Sequence, residues 1–370
     1  MTEFIKSLTI SGFRNLSELE VPSFAKVNLI TGKNNAGKSS LLEAIRILAT
    51  GGAVTTFFDI LSYRDELKLS VDSERPKAPT DLYPICNLFT GFPRFVDSHQ
   101  GFFISATGDF PSKINEVSGK IGWYVSRFMD NGQLSYEAAE SDLFGEVDGF
   151  PSLEIIVAGR KRVIPLERLQ RRALRIDTEP VGFPCIYLDP FSSRSTSQMG
   201  ALWDQIALTD VEPEIVKAMQ IVSPDIQGVS VIGGDDRSRG RTAIAKSTAF
   251  ENPVPLRTFG DGANRLFGIV LSLCNARNGI LLVDEIENGL HYSAQKEIWR
   301  TIFKLAQKLN VQIFATSHSW DCVQAFQVAA TESPDEGMLL RLSRRGERII
   351  PTTFNESELE IATSEQIEVR

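Results

Sequence analysis

Hydrophobic and polar positions alternate with the period of strands in some segments and with the period of helices in others. Continuous apolar runs at 26–31, 279–283 and 311–316 predict buried strands of a parallel sheet. Apolar residues recur every three or four positions in 39–49 and 263–275, which predicts a helix in each segment. The pattern indicates an α/β protein in which segments distant along the chain build one sheet.

Most of the remaining segments alternate between apolar and polar residues, as strands do. Loose alternation at 4–13 and 16–21 predicts a β-hairpin or meander that leads into the first buried strand. Many short alternating segments separated by turn residues follow within 53–234, and a helical pattern appears at 198–221. We therefore expect a β-rich and helical subdomain inserted between the two halves of the parallel sheet.

Composition narrows the class of protein. The chain has 370 residues, 42% of them hydrophobic, and a net charge of -8, which argues against a generally basic nucleic-acid-binding surface. Its four cysteines form no Cys-x-x-Cys pair, which indicates a reducing compartment and neither a zinc site nor a disulfide framework. With no apolar run near the roughly 18 residues of a membrane span and no secretory signal pattern, we expect a cytoplasmic protein without a membrane partner.

A glycine-rich octapeptide joins the first buried strand to the first helix. It fits the pattern Gly-x4-Gly-Lys-[Ser/Thr] and reads Gly32-Lys33-Asn34-Asn35-Ala36-Gly37-Lys38-Ser39. Such a loop wraps backbone N–H groups around phosphate oxygens at the positive end of a helix. Lys38 would reach the β- and γ-phosphates of ATP, and the Ser39 hydroxyl would bind Mg²⁺. The alternative is a turn before an ordinary helix, but the order strand, loop, helix favours the phosphate site.

Two further strands end in residues that suit nucleotide chemistry. The strand at 279–283 ends in Asp284-Glu285, where the first carboxylate would hold Mg²⁺ and the second would activate the attacking water. Two acids could also simply mark the exit of the strand into a surface turn. The strand at 311–316 is followed by His318, which would point into the crevice at the carboxyl ends of the strands and steady the γ-phosphate. A structural role is the alternative for this histidine.

Gly260-Asp261-Gly262 stands directly before the helix predicted at 263–275. A glycine-rich turn at a helix N-terminus can bind an anion, and this one has no separate lysine. An ordinary helix cap is the alternative. The phosphate loop upstream favours the functional interpretation.

In this order, the motifs resemble the ABC-type ATPase heads, and within them the RecF/SMC/OLD group. The matching elements are Phe13-Arg14-Asn15, the run from Asn34 to Ala44, and Asp284-Glu285-Ile286-Glu287-Asn288-Gly289-Leu290-His291, which resembles a Walker B strand end followed by a D-loop. The resemblance implies a P-loop NTPase of ABC-ATPase type with an N-terminal antiparallel β element and an inserted β-rich and helical subdomain. The catalytic residues would be Glu285 and His318, and the metal ligands Ser39 and Asp284. The residues expected to bind ATP are Arg14, Gly32, Asn34, Asn35, Ala36, Gly37, Lys38, Ser39, Ser40, Gly260, Asp261, Gly262 and His291.

The resemblance also implies a homodimer in which two heads close on two ATP molecules. It leaves open a higher oligomer built from such dimers. The signature residues Gly260, Asp261 and Gly262 would cap the γ-phosphate of the other subunit, and His291 would lie at the dimer seam. Gly260-Asp261-Gly262 departs from the usual Ser-Gly-Gly-Gln of this family. The glutamine-containing lid loop has no clear match, and the segment 57–65 is the candidate. Arg14 either contacts phosphate or supports the phosphate loop.

These assignments divide the chain into four predicted parts. Residues 1–52 and 235–345 form the two parts of the ATPase core, 53–234 forms the inserted lobe, and 346–370 forms an acidic tail. Its last stretch, 356–370, is expected to fray. OLD nucleases carry a nuclease domain after the ATPase, but the chain after His318 is shorter than the roughly 100 residues of a small domain. The effector is therefore expected to be a separate protein such as a nuclease, as in bacterial anti-phage systems.

Two other functions stay open. A RecF-like DNA-repair ATPase would use the basic segment 160–175, which could contact a phosphate backbone or an acidic partner, although a solvated helix face is the simpler interpretation. The basic residues of this segment are Arg160, Lys161, Arg162, Arg168, Arg171, Arg172 and Arg175. A second basic patch at 237–241 lies in a turn-rich surface loop. The third possibility is a scaffold that binds ATP without hydrolysing it, which the pair Asp284-Glu285 makes the least favoured.

Overall fold

The computed structural model describes residues 3–66, 84–93, 100–110, 114–128, 134–139, 149–166, 182–190, 196–233, 240–365 and 367–369. The strands are β1 (Ser7–Phe13), β2 (Leu16–Val21), β3 (Val27–Thr31), β4 (Gly101–Thr107), β5 (Glu116–Phe128), β6 (Leu134–Ala138), β7 (Phe150–Val157), β8 (Arg160–Pro165), β9 (Cys185–Leu188), β10 (Ile226–Ile232), β11 (Thr242–Ser247), β12 (Val254–Pro255), β13 (Ile280–Val283), β14 (Gln312–Thr316), β15 (Gly337–Arg345) and β16 (Arg348–Phe354). The helices are α1 (Lys38–Ala49), α2 (Val54–Tyr63), α3 (Thr196–Ile206), α4 (Glu212–Met219), α5 (Asp261–Asn275), α6 (Tyr292–Leu309), α7 (Trp320–Thr331) and α8 (Glu356–Ser364). Short 3₁₀ helices span Pro84–Leu88 and Leu256–Phe259.

A six-stranded, mostly parallel sheet organises the described residues. Its strand order is β16-β15-β3-β14-β13-β9, and all neighbouring pairs are parallel except β15 with β16. The three predicted buried strands lie side by side in it as β3, β14 and β13. Because the carboxyl ends of parallel strands meet at one edge of a sheet, the segments that follow these strands converge there.

An antiparallel sheet of seven strands lies beside the first. Its order is β2-β1-β4-β5-β7-β8, with β6 paired to β5. The predicted N-terminal hairpin is confirmed as β1 and β2, which pair antiparallel from Leu8 opposite Val21 to Phe13 opposite Leu16. A smaller sheet contains β10, β11 and β12.

The parallel sheet is buried on both faces, which explains its continuous apolar runs. Ile30 and Phe314 face one core, shared with α1 and the antiparallel sheet. Leu29 and Ile313 face the other core, shared with α5, α6 and α7. Alternate side chains of each strand therefore enter different cores, as expected for a sheet covered on both sides.

The structure differs from the predicted division of the chain within 53–234. Strands β4 to β8 extend the sheet begun by β1 and β2, because β4 pairs directly with β1. Strand β9 joins the edge of the parallel sheet through β13, and α3 and α4 pack in the core that contains α5. Parts of this segment thus complete the sheets of the ATPase core.

The acidic tail is ordered where the structure describes it, and the prediction that 356–370 frays is wrong for the helix at Glu356–Ser364. Strand β16 pairs with β15 along its length. Helix α8 begins with a capping box between Asn355 and Glu358 and buries Leu359 and Ala362. Acidic residues in the first turn of a helix are stabilised by its dipole, so the acidic composition here belongs to an ordered helix start.

Among the described residues, no helix has the length and apolar character needed to cross a bilayer.

Candidate functional site

The loop between β3 and α1 needs glycine at defined positions. Gly32 and Gly37 have φ of 145° and 89°, and Asn35 also lies in the left-handed region with φ of 61°. A Cβ atom on Gly32 would stand 2.4 Å from the carbonyl oxygen of Leu342, and one on Gly37 would stand 2.8 Å from neighbouring apolar side chains. The loop is therefore folded tightly over β15 at the N-terminus of α1, as a phosphate site requires.

Lys38 lies inside this loop. Its Nζ donates to the carbonyl oxygens of Gly32 at 2.7 Å and Lys33 at 3.1 Å, and it lies 3.5 Å from Nδ1 of His318. Burial lowers the pKa of Lys38, and the carboxylates of Asp284, Glu285 and Glu287 partly offset that shift. An ammonium group held by carbonyl oxygens at the start of a helix is suited to receive an anion.

Ser39 and Asp284, which are 245 positions apart in the sequence, are in direct contact. Ser39 Oγ donates to Asp284 Oδ2 at 2.8 Å. The other oxygen of Asp284 accepts from the Thr316 hydroxyl at the end of β14. A hydroxyl and a carboxylate oxygen are donors that Mg²⁺ prefers, with substrate phosphates supplying further oxygens, so these residues fit a magnesium–nucleotide site.

Glu285 and His318 flank the same edge of the sheet. Glu285 is half-buried, has φ of 49°, and its N–H donates to Thr316 Oγ1 at 2.8 Å. Such a backbone conformation in a bulky residue is held by its surroundings and is common at active sites. His318 is exposed on the loop between β14 and α7. His318 therefore lies beside Lys38, and the carboxylate of Glu285 lies close enough to raise the pKa of Lys38.

Arg265 of α5 links the predicted signature helix to this edge. Its side chain is 2% exposed. Nη1 donates to the carbonyl oxygen of Asp189 at 2.8 Å, and Nη2 donates to those of Asp284 at 2.8 Å and Glu285 at 2.9 Å. Burial lowers the pKa of Arg265. The guanidinium group therefore holds the backbone that follows β9 and β13.

Tyr187 of β9 lies against the carboxylate of Asp284. Its hydroxyl donates to Asp284 Oδ2 at 3.4 Å, and burial next to Asp284 raises the pKa of Tyr187 well above its ordinary value. Its ring packs against Tyr63, with centroids 5.7 Å apart, and both rings face the guanidinium group of Arg46. Tyr63 belongs to the segment 57–65, so the candidate lid segment contacts the site through an aromatic ring.

Carboxylates surround the guanidinium group of Arg14. Its Nε lies 2.5 Å from Glu43 Oε2, and its Nη1 and Nη2 donate to Glu66 at 2.9 and 3.1 Å. Arg64 donates to the other oxygen of Glu43 at 2.6 Å. Of the two roles left open for Arg14, these contacts favour the supporting one, through Glu43 of the helix that follows the phosphate loop. The next residue, Asn15, reaches the loop itself and donates to the Asn35 carbonyl oxygen at 3.3 Å.

The signature residues and the D-loop lie next to each other. A Cβ atom on Gly262 would stand 2.8 Å from the carbonyl oxygen of Gly289. Gly260, Asp261 and His291 are exposed, and His291 caps α6 by accepting from the Ser293 N–H. Of the other predicted phosphate-loop residues, Asn34 is exposed, whereas Ala36 and Ser40 are buried.

Part of the predicted basic surface is used inside the molecule. Arg162 donates to the carbonyl oxygens of Gly51 and Gly52 at 3.0 and 3.1 Å, and Lys161 pairs with buried Glu154 at 2.5 Å. Arg160 is exposed. The predictions for Arg168, Arg171, Arg172 and Arg175 concern residues outside the described part of the chain. The same is true of Arg237 and Arg239. In the second patch, Arg241 pairs with Asp204.

Four residues at the site were not predicted. Tyr187 precedes an aspartate at the end of a short apolar run, a pattern like that of β13, and this signal could have identified a further strand at the edge. Arg265 is a charged residue within an apolar helix face, which is also a usable signal. Thr316 and Glu287 gave no signal beyond their nearness to predicted residues.

One edge of the parallel sheet gathers the phosphate loop, the acidic end of β13 and the loop 317–319, which we call the switch loop. With an antiparallel sheet beside it, this arrangement defines an ABC-type P-loop ATPase of the RecF/SMC group. Residues 4–82 and 197–323, more than half of the chain, match the family model of the AAA ATPase domain. The chain belongs to this family and is an ATPase.

Individual relatives agree with this class. An "ATP/GTP phosphatase" of Helicobacter pylori is 22% identical over 96% of this chain and 97% of its own length. The DNA replication and repair protein RecF of Idiomarina loihiensis is 52% identical over 48 residues, which cover 13% of this chain and 14% of that protein. RecF of Thermosynechococcus vestitus is 33% identical over 31% of this chain and 30% of its own length.

Solved structures show the same fold. An Smc head bound to the C-terminal winged-helix domain of ScpA has a TM-score of 0.52 at 14% identity, covering 98% of this chain and all of that chain. The Smc head from Pyrococcus furiosus, bound to the C-terminal domain of ScpA, has a TM-score of 0.51 at 11% identity, covering 99% of this chain and all of that chain.

Proposed function

We propose that the protein is a dimeric switch that binds and hydrolyses MgATP and thereby controls a separate effector protein. The observation that carries the nucleotide chemistry is the convergence of three distant segments. Ser39 lies 2.8 Å from Asp284, and Lys38 lies 3.5 Å from His318. The site of one bound triphosphate would lie between these side chains.

The residues divide the reaction among themselves. Lys38 and the amides at the start of α1 bind the β- and γ-phosphates, and His318 donates to the γ-phosphate. Ser39 and Asp284 would hold Mg²⁺, and the ion would supply positive charge beside the phosphates. Glu285 accepts a proton from the attacking water. Tyr187 and Thr316 orient Asp284 through hydrogen bonds.

The exposed signature turn supports a dimeric mechanism. Gly260 and Asp261 are exposed at the N-terminus of α5, and Asp261 lies next to Gly289. His291, which follows Gly289 closely in the sequence, is also exposed. These groups could reach the γ-phosphate bound by a second copy of the chain. Glu285→Gln is expected to trap an ATP-bound dimer, measured by light scattering coupled to size-exclusion chromatography. A Glu285→Gln protein that hydrolyses ATP at the unsubstituted rate would refute the role of Glu285.

The nucleotide itself is tested by phosphate release. The name of the Helicobacter pylori relative includes both ATP and GTP, so hydrolysis of the two is compared directly. Lys38→Ala is expected to abolish binding of either nucleotide. Unchanged binding by that variant would place the phosphates elsewhere.

A defence role, in which the effector is a nuclease that acts against phage, rests on the resemblance to OLD-like ATPases. It is tested by co-purification of the chain with the products of its neighbouring genes, with and without ATP. An effector that binds in one nucleotide state supports the role. A nuclease whose activity is the same in both states contradicts it.

A RecF-like role in DNA binding is the second candidate, and the RecF alignments favour it. The net charge of -8 and the internal use of Lys161 and Arg162 speak against a basic surface at 160–162. A gel shift with duplex and gapped DNA over a range of salt concentrations separates the two candidates. ATP-dependent, salt-sensitive binding would support the RecF-like role.

A further inference from the structure

The turn after β13 is tied to the end of β14 by two backbone groups. The N–H groups of Glu285 and Ile286 donate to the side chain and the carbonyl group of Thr316, at 2.8 and 3.0 Å. Glu287 continues this connection, because its Oε1 accepts from the N–H of His318 at 2.8 Å. The carboxylate thus joins the acidic turn to the switch loop.

The switch loop itself is short and polar. Ser317 N–H donates to the Ile30 carbonyl oxygen at 3.0 Å, and Ser319 N–H donates to Ser317 Oγ at 3.0 Å before Ser319 caps α7. His318 is exposed between these two serines. Its position opposite Lys38 therefore depends on its own backbone contact, which Glu287 supplies.

The carboxylate is well suited to this contact. Glu287 is half-buried and lies close enough to Lys38 and Arg265 to raise the pKa of both. Its Oε2 is buried without a hydrogen-bond partner among the described residues. One oxygen is thus committed to the switch loop, while the other remains able to accept a donor.

We propose that Glu287 is a positioning residue for ATP hydrolysis, because it holds the backbone of the switch loop so that His318 faces Lys38. The inference rests on the proposed function. It adds a third carboxylate to Asp284 and Glu285 with a separate task. Glu287 neither takes a proton nor binds the metal ion in this account; its task is geometric.

Three substitutions of Glu287 separate geometry from charge. Glu287→Gln keeps an acceptor oxygen at the same reach and removes the charge, so kcat is expected to stay within about twofold of the unsubstituted value. Glu287→Asp keeps the charge but withdraws the acceptor by one methylene, and Glu287→Ala removes it. Both are expected to lower kcat about tenfold with KM for ATP within about twofold. Exposed Glu360 supplies the matched control, Glu360→Ala, which is expected to leave kcat unchanged.

The coupling to His318 gives a readout that a loss of stability alone would not produce. If Glu287 acts through His318, the double variant Glu287→Ala, His318→Ala is no slower than His318→Ala within about twofold. Multiplicative losses, or an activity order in which aspartate exceeds glutamine, overturn the proposal. Thermal unfolding is measured for every variant, and Glu287→Asp decides the question should the alanine variant fail to fold.

Failure of this inference can be told apart from failure of the proposed function. Hydrolysis that Glu285→Gln abolishes but Glu287→Asp and Glu287→Ala leave intact overturns the inference alone. Absence of hydrolysis by the unsubstituted protein overturns both.

Discussion

Replacement of Arg265 by methionine tests whether a buried guanidinium group holds the acidic edge of the site. Methionine fills much of the same volume but donates no hydrogen bond. The carbonyl oxygens of Asp189 and Asp284 then lose a charged donor, whereas that of Glu285 still accepts from the Asn288 N–H at 3.0 Å. Since leaving the buried carbonyl oxygen of Asp284 unpaired costs about 1–3 kcal/mol, the substitution is expected to lower the free energy of unfolding by about that amount.

The free energy of unfolding is measured by urea titration followed by tryptophan fluorescence. The matched control is Arg277→Met, because Arg277 lies just after the same helix in an exposed pair with Asp210 at 3.7 Å. That pair is expected to contribute no more than about 1 kcal/mol. Arg265→Lys, which cannot span the three carbonyl groups, should fall between. Equal stabilities of the two methionine variants would refute the role given to Arg265.

The remaining predictions concern the nucleotide. Because the ammonium form of Lys38 binds phosphate and burial lowers its pKa below 10.5, affinity should be greatest at pH values below that lowered pKa, and should fall about tenfold per pH unit above it. Fluorescent-nucleotide titrations up to about pH 10 check this, with Lys38→Arg expected to be flat over the range; a flat profile in the unsubstituted protein contradicts it. Tyr187→Phe keeps the aromatic packing and loses one hydrogen bond to the Walker B aspartate, so kcat should fall about two- to fivefold and the Mg²⁺ concentration for half-maximal activity should rise; no change in either opposes the assignment. Gly262→Ala places a Cβ against Gly289 and should abolish ATP-dependent dimerisation while each head still binds nucleotide, whereas Gly228→Ala, which meets open space, should dimerise normally; equal dimerisation would refute the contact.

The parts of the fold that sequence could predict are those specified by local pattern. Strands β3, β13 and β14 and helices α1 and α5 follow from apolar runs and helical spacing, since each is decided by burial of its own side chains. The antiparallel sheet was only partly predictable. Alternation indicates strands, but the pairing of β4 with β1 joins residues as far apart as Ser7 and Thr107 and leaves no local mark.

The site shows the same limit. The phosphate loop and Asp284 carry motifs whose spacing is demanded by chemistry, so they could be identified directly. The sequence left two roles open for Arg14, because a motif cannot reveal that Glu43 and Glu66 surround its guanidinium group. Tyr187 and Arg265 act through contacts with the Walker B turn that depend on how β9 and α5 are packed against β13. Such contacts are properties of tertiary structure.

We propose that Lys38, Ser39 and Asp284 form one magnesium–nucleotide site. A crystal structure of the Glu285→Gln protein grown with MgATP tests it most directly. We expect Mg²⁺ about 2.1 Å from Ser39 Oγ, with Asp284 contacting the ion directly or through one water. We expect Lys38 Nζ about 3 Å from a phosphate oxygen. A triphosphate bound elsewhere, or a metal ion without contact to Ser39, would contradict the account.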